Sequence, residues 1–301
     1  MKWLIFGIFS TLMFGFWTFF AKLSSFEGPF ISNFLIYLSS LIITVFILLI
    51  KRKKIKFSRY AVFAGLIAGL QGTMLLYSFS KNQLILVLPF ISFASVVFFL
   101  LIYFKEKPKY KIIQKILVIA GLFLSTVGIL VVATGTVGFF TFIHQLSLDI
   151  TYLSLGLAIM IATSAITYFA YRASQTEITG NDYAFWNLSA SLFFATVIMI
   201  FASPTSFSQI LSFNLLGYLY PAVSGICVTF GILFYFAAFQ STTSKSKIQE
   251  TVVGILLNSE LIPVTFLSYF ILGERVTEGF IGSMILLIGL IILNYSDVLK
   301  K

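Results

Sequence analysis

Stretch after stretch of about twenty uninterrupted apolar residues, joined by short polar turns, leaves this chain little choice of fold. The stretches run over 3–22, 30–50, 60–80, 84–104, 113–134, 150–171, 183–203, 215–239, 251–272 and 279–298. A chain in hydrocarbon must satisfy its own backbone, which only helices and closed barrels achieve. Barrel strands alternate apolar and polar residues over about 10 positions, and nothing here alternates. Only 10% of the 301 residues are charged, against about a quarter in soluble domains. The expectation is an all-α integral membrane protein of ten transmembrane helices. The first segment is too long for the apolar core of a signal peptide and is followed at once by further spans, so it is kept as helix 1. Cys227, the single cysteine, lies in an apolar segment. It cannot form an intramolecular disulfide and reads as a small packing residue.

The net charge of +10 does not point to nucleic acid, because the basic residues cluster in turns between spans, where topology and anionic lipid headgroups account for them. With the N-terminus inside, 17 of the 20 Lys and Arg fall on the inner side, and only Lys22, Lys81 and Arg275 fall outside. This asymmetry puts both termini in the cytoplasm and the protein in the cytoplasmic membrane.

Two halves echo one another. Helix 4 ends in Phe104-Lys105-Glu106-Lys107 and is followed by the glycine-bearing span Gly121 to Val132. Helix 9 ends in Gly273-Glu274-Arg275 and is followed by Gly282 to Leu293. Five spans per half is an odd number, so the second half enters from the opposite side, giving an inverted repeat. The repeats are 1–138 and 150–301, with the boundary in the 135–149 loop. His144, the only histidine, lies in that loop and reads as solvated.

Several stretches together resemble the EamA-type family of the drug/metabolite transporter superfamily. They are Phe16-Trp17-Thr18-Phe19-Phe20-Ala21-Lys22, Tyr77-Ser78-Phe79-Ser80-Lys81 running into Leu86-Val87-Leu88-Pro89, Lys105-Glu106-Lys107, and Pro263 with Gly273-Glu274-Arg275. The resemblance spans nearly the whole chain and implies two five-helix repeats, a solute pathway beside helix 1 and secondary transport. Pro89 stands seventeen residues before Glu106, whereas Pro263 stands eleven before Glu274, so the two prolines are not strictly equivalent.

An ionisable residue within a span is expensive and by default functional, which singles out Glu260 as a coupling or substrate carboxylate. Pro263, three residues on, favours a kink, as does Pro89 in helix 4. Polar and aromatic residues of the spans complete the candidate substrate set: Gln71, Ser92, Asn187 and Asn258, with Trp17 and Tyr77 toward the outer ends of their helices and Tyr235 nearer the inner end. Each has a structural alternative, since hydroxyls in membrane helices mostly bond nearby backbone, amides tie helices together, and Trp17 and Tyr77 suit an interfacial aromatic belt. If the glutamates of the two turns are aligned, Phe90 and Ser92 occupy the places matching Asn258 to Pro263, so Glu260 has no charged counterpart. The 36 phenylalanines read mostly as lipid-facing bulk.

The expected function is a secondary transporter that moves a small organic metabolite, amino-acid-like or other, across the membrane by alternating access, export included. Its partners would be the solute, a coupling proton and membrane lipids, in a monomer or homodimer. The alternative within transport is a facilitator for a sugar, polyol or choline-type solute. A lipid scramblase or receptor is the reading from another class. No Walker motif, His-Glu-x-x-His pattern or paired intramembrane aspartate occurs, so no cofactor, metal or catalytic residue is expected.

Overall fold

The structure is a computed structural model that describes residues 2–25, 28–52, 54–81, 90–91, 93–94, 96–102, 111–134, 150–202, 210, 213–242, 247–257, 259–272 and 277–298. Among these it is helical and contains no strand. The helices are α1 (Lys2–Ser24), α2 (Pro29–Lys51), α3 (Arg59–Ser80), α4 (Ile112–Thr134), α5 (Ile150–Ser174), α6 (Gly180–Ala202), α7 (Leu215–Gln240), α8 (Lys247–Leu257), α9 (Leu261–Leu272) and α10 (Thr277–Val298). Residues 90–102 are helical wherever they are described. Six helices, α1, α2, α3, α5, α6 and α7, are long and apolar enough to cross a membrane, and their outward faces carry large apolar side chains such as Phe46, Ile50 and Phe193. The chain therefore has the character of a multi-pass membrane protein. The Glu106 and Glu274 turns and the 135–149 boundary lie outside the described residues, as do Pro89, Ser92 and Asn258.

The ends of these helices are fixed by local chemistry. Ser58 caps α3 by accepting a hydrogen bond from the Ala61 N–H (3.3 Å), and Asn214 caps α7 through the Gly217 N–H (2.9 Å). Arg52 closes α2 in the left-handed region, with its N–H returned to the Leu48 carbonyl. Asp182, buried in the first turn of α6, accepts from the Thr179 N–H (2.8 Å) and hydroxyl (2.8 Å), and also from the backbone N–H of Lys56 (3.0 Å). The Trp186 indole donates to the Lys56 carbonyl (3.1 Å). This fastens the α2–α3 turn onto the start of α6, on the side where α1 begins.

Lipid tails are as apolar as leucine, so helices associate here through close packing and polar ties rather than through the hydrophobic effect. Glycine allows the approach. A Cβ on Gly65 of α3 would run into the Asn187 carbonyl of α6, and one on Gly69 would lie 2.8 Å from the Ser191 carbonyl. Ser191 then donates to the Gly65 carbonyl (2.9 Å). The contact of α2 with α7 has the same construction: a Cβ on Gly225 would lie 2.6 Å from the Ile36 carbonyl, and Ser40 donates to the Gly225 carbonyl (3.0 Å). In α4 and α10, Gly121 faces Gly289 while Gly128 faces Gly282. That pair packs along its length, as do α1 and α7.

One expectation changes. The span read as continuous over 251–272 is two helices, α8 and α9, with Ser259 and Glu260 in a turn before α9. The phenylalanines are also not all lipid-facing, because Phe98, Phe236 and Phe239 are fully buried.

Replacing Gly65 by Ala should force α3 and α6 apart and cost about 1–3 kcal/mol, as overpacking typically does. Gly180→Ala, where a Cβ meets only ordinary contacts from 3.7 Å outward, should be nearly neutral. Thermal unfolding of the two detergent-solubilised variants measures the contrast.

Candidate functional site

The break between α8 and α9 begins with backbone accounting. Pro263 has no N–H, so it cannot bond the Ser259 carbonyl, which instead accepts from the Ile262 N–H (3.0 Å) in a tighter turn. One turn earlier, the Leu256 carbonyl accepts from the Ser259 N–H (3.1 Å). The remaining acceptor capacity of that carbonyl is taken by a residue far away in sequence, since the Thr11 hydroxyl of α1 lies 2.6 Å from it. Gly15, one turn along α1, lets the backbone of α1 close on this break, because a Cβ there would strike the Pro263 ring and lie 3.1 Å from the Glu260 carbonyl. Broken helices survive at membrane depth only where protein meets the freed groups, and α1 supplies that here.

Glu260 is thereby held at the start of α9, 6% exposed, where the partial positive charge of a helix N-terminus complements a carboxylate. It lines a cavity of about 100 Å³, partly open to the surroundings, enclosed by α1, α2, α3, α5, α6 and α7. Five residues of the sequence-derived set meet in its wall: Trp17, Gln71, Asn187, Tyr235 and Glu260. They come from α1, α3, α6, α7 and the α8–α9 break, so helices far apart in the chain build one site. The pair α4 and α10 contributes no lining residue among those described.

The details differ from residue to residue. The Gln71 amide donates to the Thr163 hydroxyl of α5 (2.7 Å), tying two walls together. The Trp17 indole N–H is buried without a hydrogen-bond partner. The Tyr235 hydroxyl, 4% exposed, likewise makes no well-formed hydrogen bond, with Thr167 beside it. The Thr18 hydroxyl is buried beside the Glu260 carboxyl. Buried orphan polar groups are uncommon, and Trp17 and Tyr235 both line the cavity that holds Glu260.

Tyr77 takes no part in the cavity wall. It is 39% exposed near the end of α3, with the Lys81 ammonium 5.8 Å from its ring centroid. That position matches the interfacial alternative. Ser78 and Thr229 bond backbone carbonyls. Pro263 packs on Gly15 and shapes the break without lining the cavity. Ser92, Asn258 and Pro89 lie outside the described residues.

Sequence reasoning missed several residues of the wall: Phe14, Tyr37, Thr163, Thr167 and Tyr183. Tyr37 donates to the Ala68 carbonyl (2.8 Å). Helical spacing could have linked Thr163 with Thr167, four residues apart on one face of α5, but hydroxyls at that spacing are common and carry little information. A second buried acid, Glu250 in the first turn of α8, was also passed over.

Toward the side where α1 begins, Tyr183 and Tyr235 of the wall join a layer of packed aromatic rings. Tyr183 stacks on Phe236 with centroids 4.7 Å apart, Tyr235 lies 5.0 Å from Phe239, and Phe98, Tyr171 and Phe239 meet edge-to-face at 6.0–6.2 Å. These rings are all buried.

No family model matches the sequence, and no curated protein matches it. Solved structures do match. A crystal structure of a protein 14% identical in sequence superposes with a TM-score of 0.71 over 96% of this chain and 97% of that chain. At this identity the likeness is one of fold.

Thr11→Val should remove the tie to Leu256 and cost about 1 kcal/mol, the usual size of an interhelical hydrogen bond in a membrane, while Thr11→Ser should retain it. Thermal unfolding compares the two.

Proposed function

We propose that the chain is a secondary transporter that moves a small organic metabolite across the cytoplasmic membrane by alternating access. Its helices form two inverted five-helix repeats of the EamA type, and both termini are cytoplasmic. The observation that carries this reading is the central cavity, lined by both halves of the chain and bordered by a broken helix bearing a buried carboxylate. Inverted-repeat transporters place their substrate in such a position.

The repeat is supported by hydrogen bonds that come in matched pairs. Ser40 of α2 donates to Gly225 of α7, and Ser191 of α6 donates to Gly65 of α3. Thr11 of α1 bonds the Leu256 carbonyl, and Ser164 of α5 bonds the Ala94 carbonyl (3.1 Å). Ser10 of α1 reaches Gly231 of α7, and Thr163 of α5 pairs with Gln71 of α3. Exchanging the first five spans with the last five maps the first two bonds onto their partners, and in the third pair it maps the contact with the donor reversed, since Ser10 donates to the Gly231 carbonyl whereas Gln71 donates to the Thr163 hydroxyl. In that register Phe98 stands opposite Glu260, which replaces the alignment of Asn258–Pro263 with Phe90 and Ser92. The carboxylate still has no charged counterpart.

In alternating access, Phe98 of the first half parts from Tyr171 and Phe239 of the second, which opens the cavity on the side where α1 begins. Glu260 is the one acidic residue in the described wall, which gives it the role of coupling the solute to a proton gradient.

In proteoliposomes, solute counterflow without lipid flip is the expected result, whereas lipid flip alone would replace this reading with a scramblase. Glu260→Gln should lower gradient-driven uptake by at least about tenfold, the ratio that 1.4 kcal/mol represents, while leaving solute exchange measurable. Loss of neither activity would remove the coupling role.

A further inference from the structure

The cavity wall joins one carboxylate to an aromatic enclosure and contains no basic residue. Glu260 is its single acid, and no Lys, Arg or His is present among the described lining residues. Five aromatic side chains, Phe14, Trp17, Tyr37, Tyr183 and Tyr235, share the same space. Three of them form a corner. The Phe14 ring meets Trp17 at 6.1 Å with planes at 75°, and meets Tyr235 at 6.5 Å with planes at 77°. Rings set at right angles present faces and edges in several directions, as a cation enclosed by aromatic groups requires.

We infer that this cavity recognises a small organic monocation, an ammonium compound carrying a hydroxyl or similar hydrogen-bonding oxygen. The inference rests on the transporter reading and specifies its substrate class. Each part of the ligand follows from a different feature. A buried carboxylate either takes up a proton or is offset by a countercharge, and the described wall has no basic side chain, which leaves a cationic ligand to displace the proton. Aromatic faces favour a weakly hydrated cation over a neutral solute. The unpartnered Trp17 N–H is donor only, and the Tyr235 hydroxyl can donate as well as accept, so both suit an oxygen on the ligand. An anionic ligand would bring like charge into the same enclosure with no basic side chain to separate the two. A polyol or sugar would leave Glu260 uncompensated and set its hydroxyls against rings.

The test uses ligands matched in shape and different in charge. Choline is compared with the uncharged alcohol in which carbon replaces its nitrogen, and tyramine with the uncharged tyrosol. Tert-butylacetate and L-tyrosine supply the anion and the zwitterion. Binding to the purified full-length protein is read by ligand-induced thermal stabilisation, and exchange by counterflow in proteoliposomes.

At least one of the two cations should bind about tenfold or more tightly than its uncharged partner, the size expected of a desolvated cation–aromatic contact, and should be exchanged. Glu260→Gln should abolish that preference. Trp17→Leu, which leaves the carboxylate in place, should weaken the cation more than the alcohol or phenol, so the inference remains testable if the Glu260 variant fails to fold. Equal binding of the cations and their uncharged partners, or tighter binding of the anion or the zwitterion, would overturn it. If neither cation is exchanged but a neutral or zwitterionic solute is, the cation inference fails and the transporter reading stands. If no solute of any charge is exchanged while lipid flips, both fail.

Discussion

A helix can stop in the middle of a membrane only if something other than water takes up the carbonyls it releases. In this protein that something is α1. Thr11 reaches the Leu256 carbonyl, and Gly15 lets the α1 backbone close on Pro263 and Glu260. Without that contact the α8–α9 break would leave bare polar backbone in an apolar layer, and a continuous helix would be favoured. With it, Glu260 is held at a helix start and faces a cavity instead of lipid. The break, the carboxylate's position and the cavity wall all follow from how closely one helix approaches another.

The same requirement recurs through the bundle. Where two helices touch without a hydrophobic driving force, a glycine removes the steric barrier and a serine or threonine hydroxyl ties the backbones together. Gly65 with Ser191 and Gly225 with Ser40 are two instances built alike. Their effect reaches the site. Holding α3 against α6 brings Gln71 and Asn187 to the same cavity, and holding α2 against α7 brings Tyr37 near Val228 and Ile232. The glycine contacts therefore set the site's geometry although they line none of it.

Beside this hydrogen-bonded frame lies a softer aromatic layer at one end of the bundle. Stacked and edge-to-face rings hold by dispersion and weak electrostatics of about 0.5–1.5 kcal/mol per pair, and separating them exposes no unpaired backbone. Hydrogen-bonded glycine contacts are costlier to break. Of these ring contacts, those of Phe98 with Tyr171 and Phe239 join the two halves of the chain, as the Gly65–Ser191 and Gly225–Ser40 ties also do, so the two kinds of interaction share that interface.

Much of the architecture was legible in the amino-acid sequence because membrane helices are specified locally. Apolar length fixes a span, and the solvation cost of charge fixes which residues stay in the turns. The same cost marked Glu260, and amide chemistry marked Gln71 and Asn187. Trp17 and Tyr235 were also found, although their unpartnered N–H and O–H could not be. What the sequence could not decide is which faces meet. Tyr77 and Tyr235 are both tyrosines within a turn or two of a helix end, yet one lies by Lys81 at the exposed end of α3 and the other in the cavity. Thr163, Thr167, Tyr37 and Tyr183 went unnoticed because a hydroxyl or a ring in a membrane helix has many uses. Only the rotation of each helix about its axis selects among those uses, and that rotation is set by glycine contacts between residues as far apart as Gly65 and Asn187. Local chemistry determined that the chain crosses the membrane and where an acid is buried; long-range packing decided what surrounds that acid.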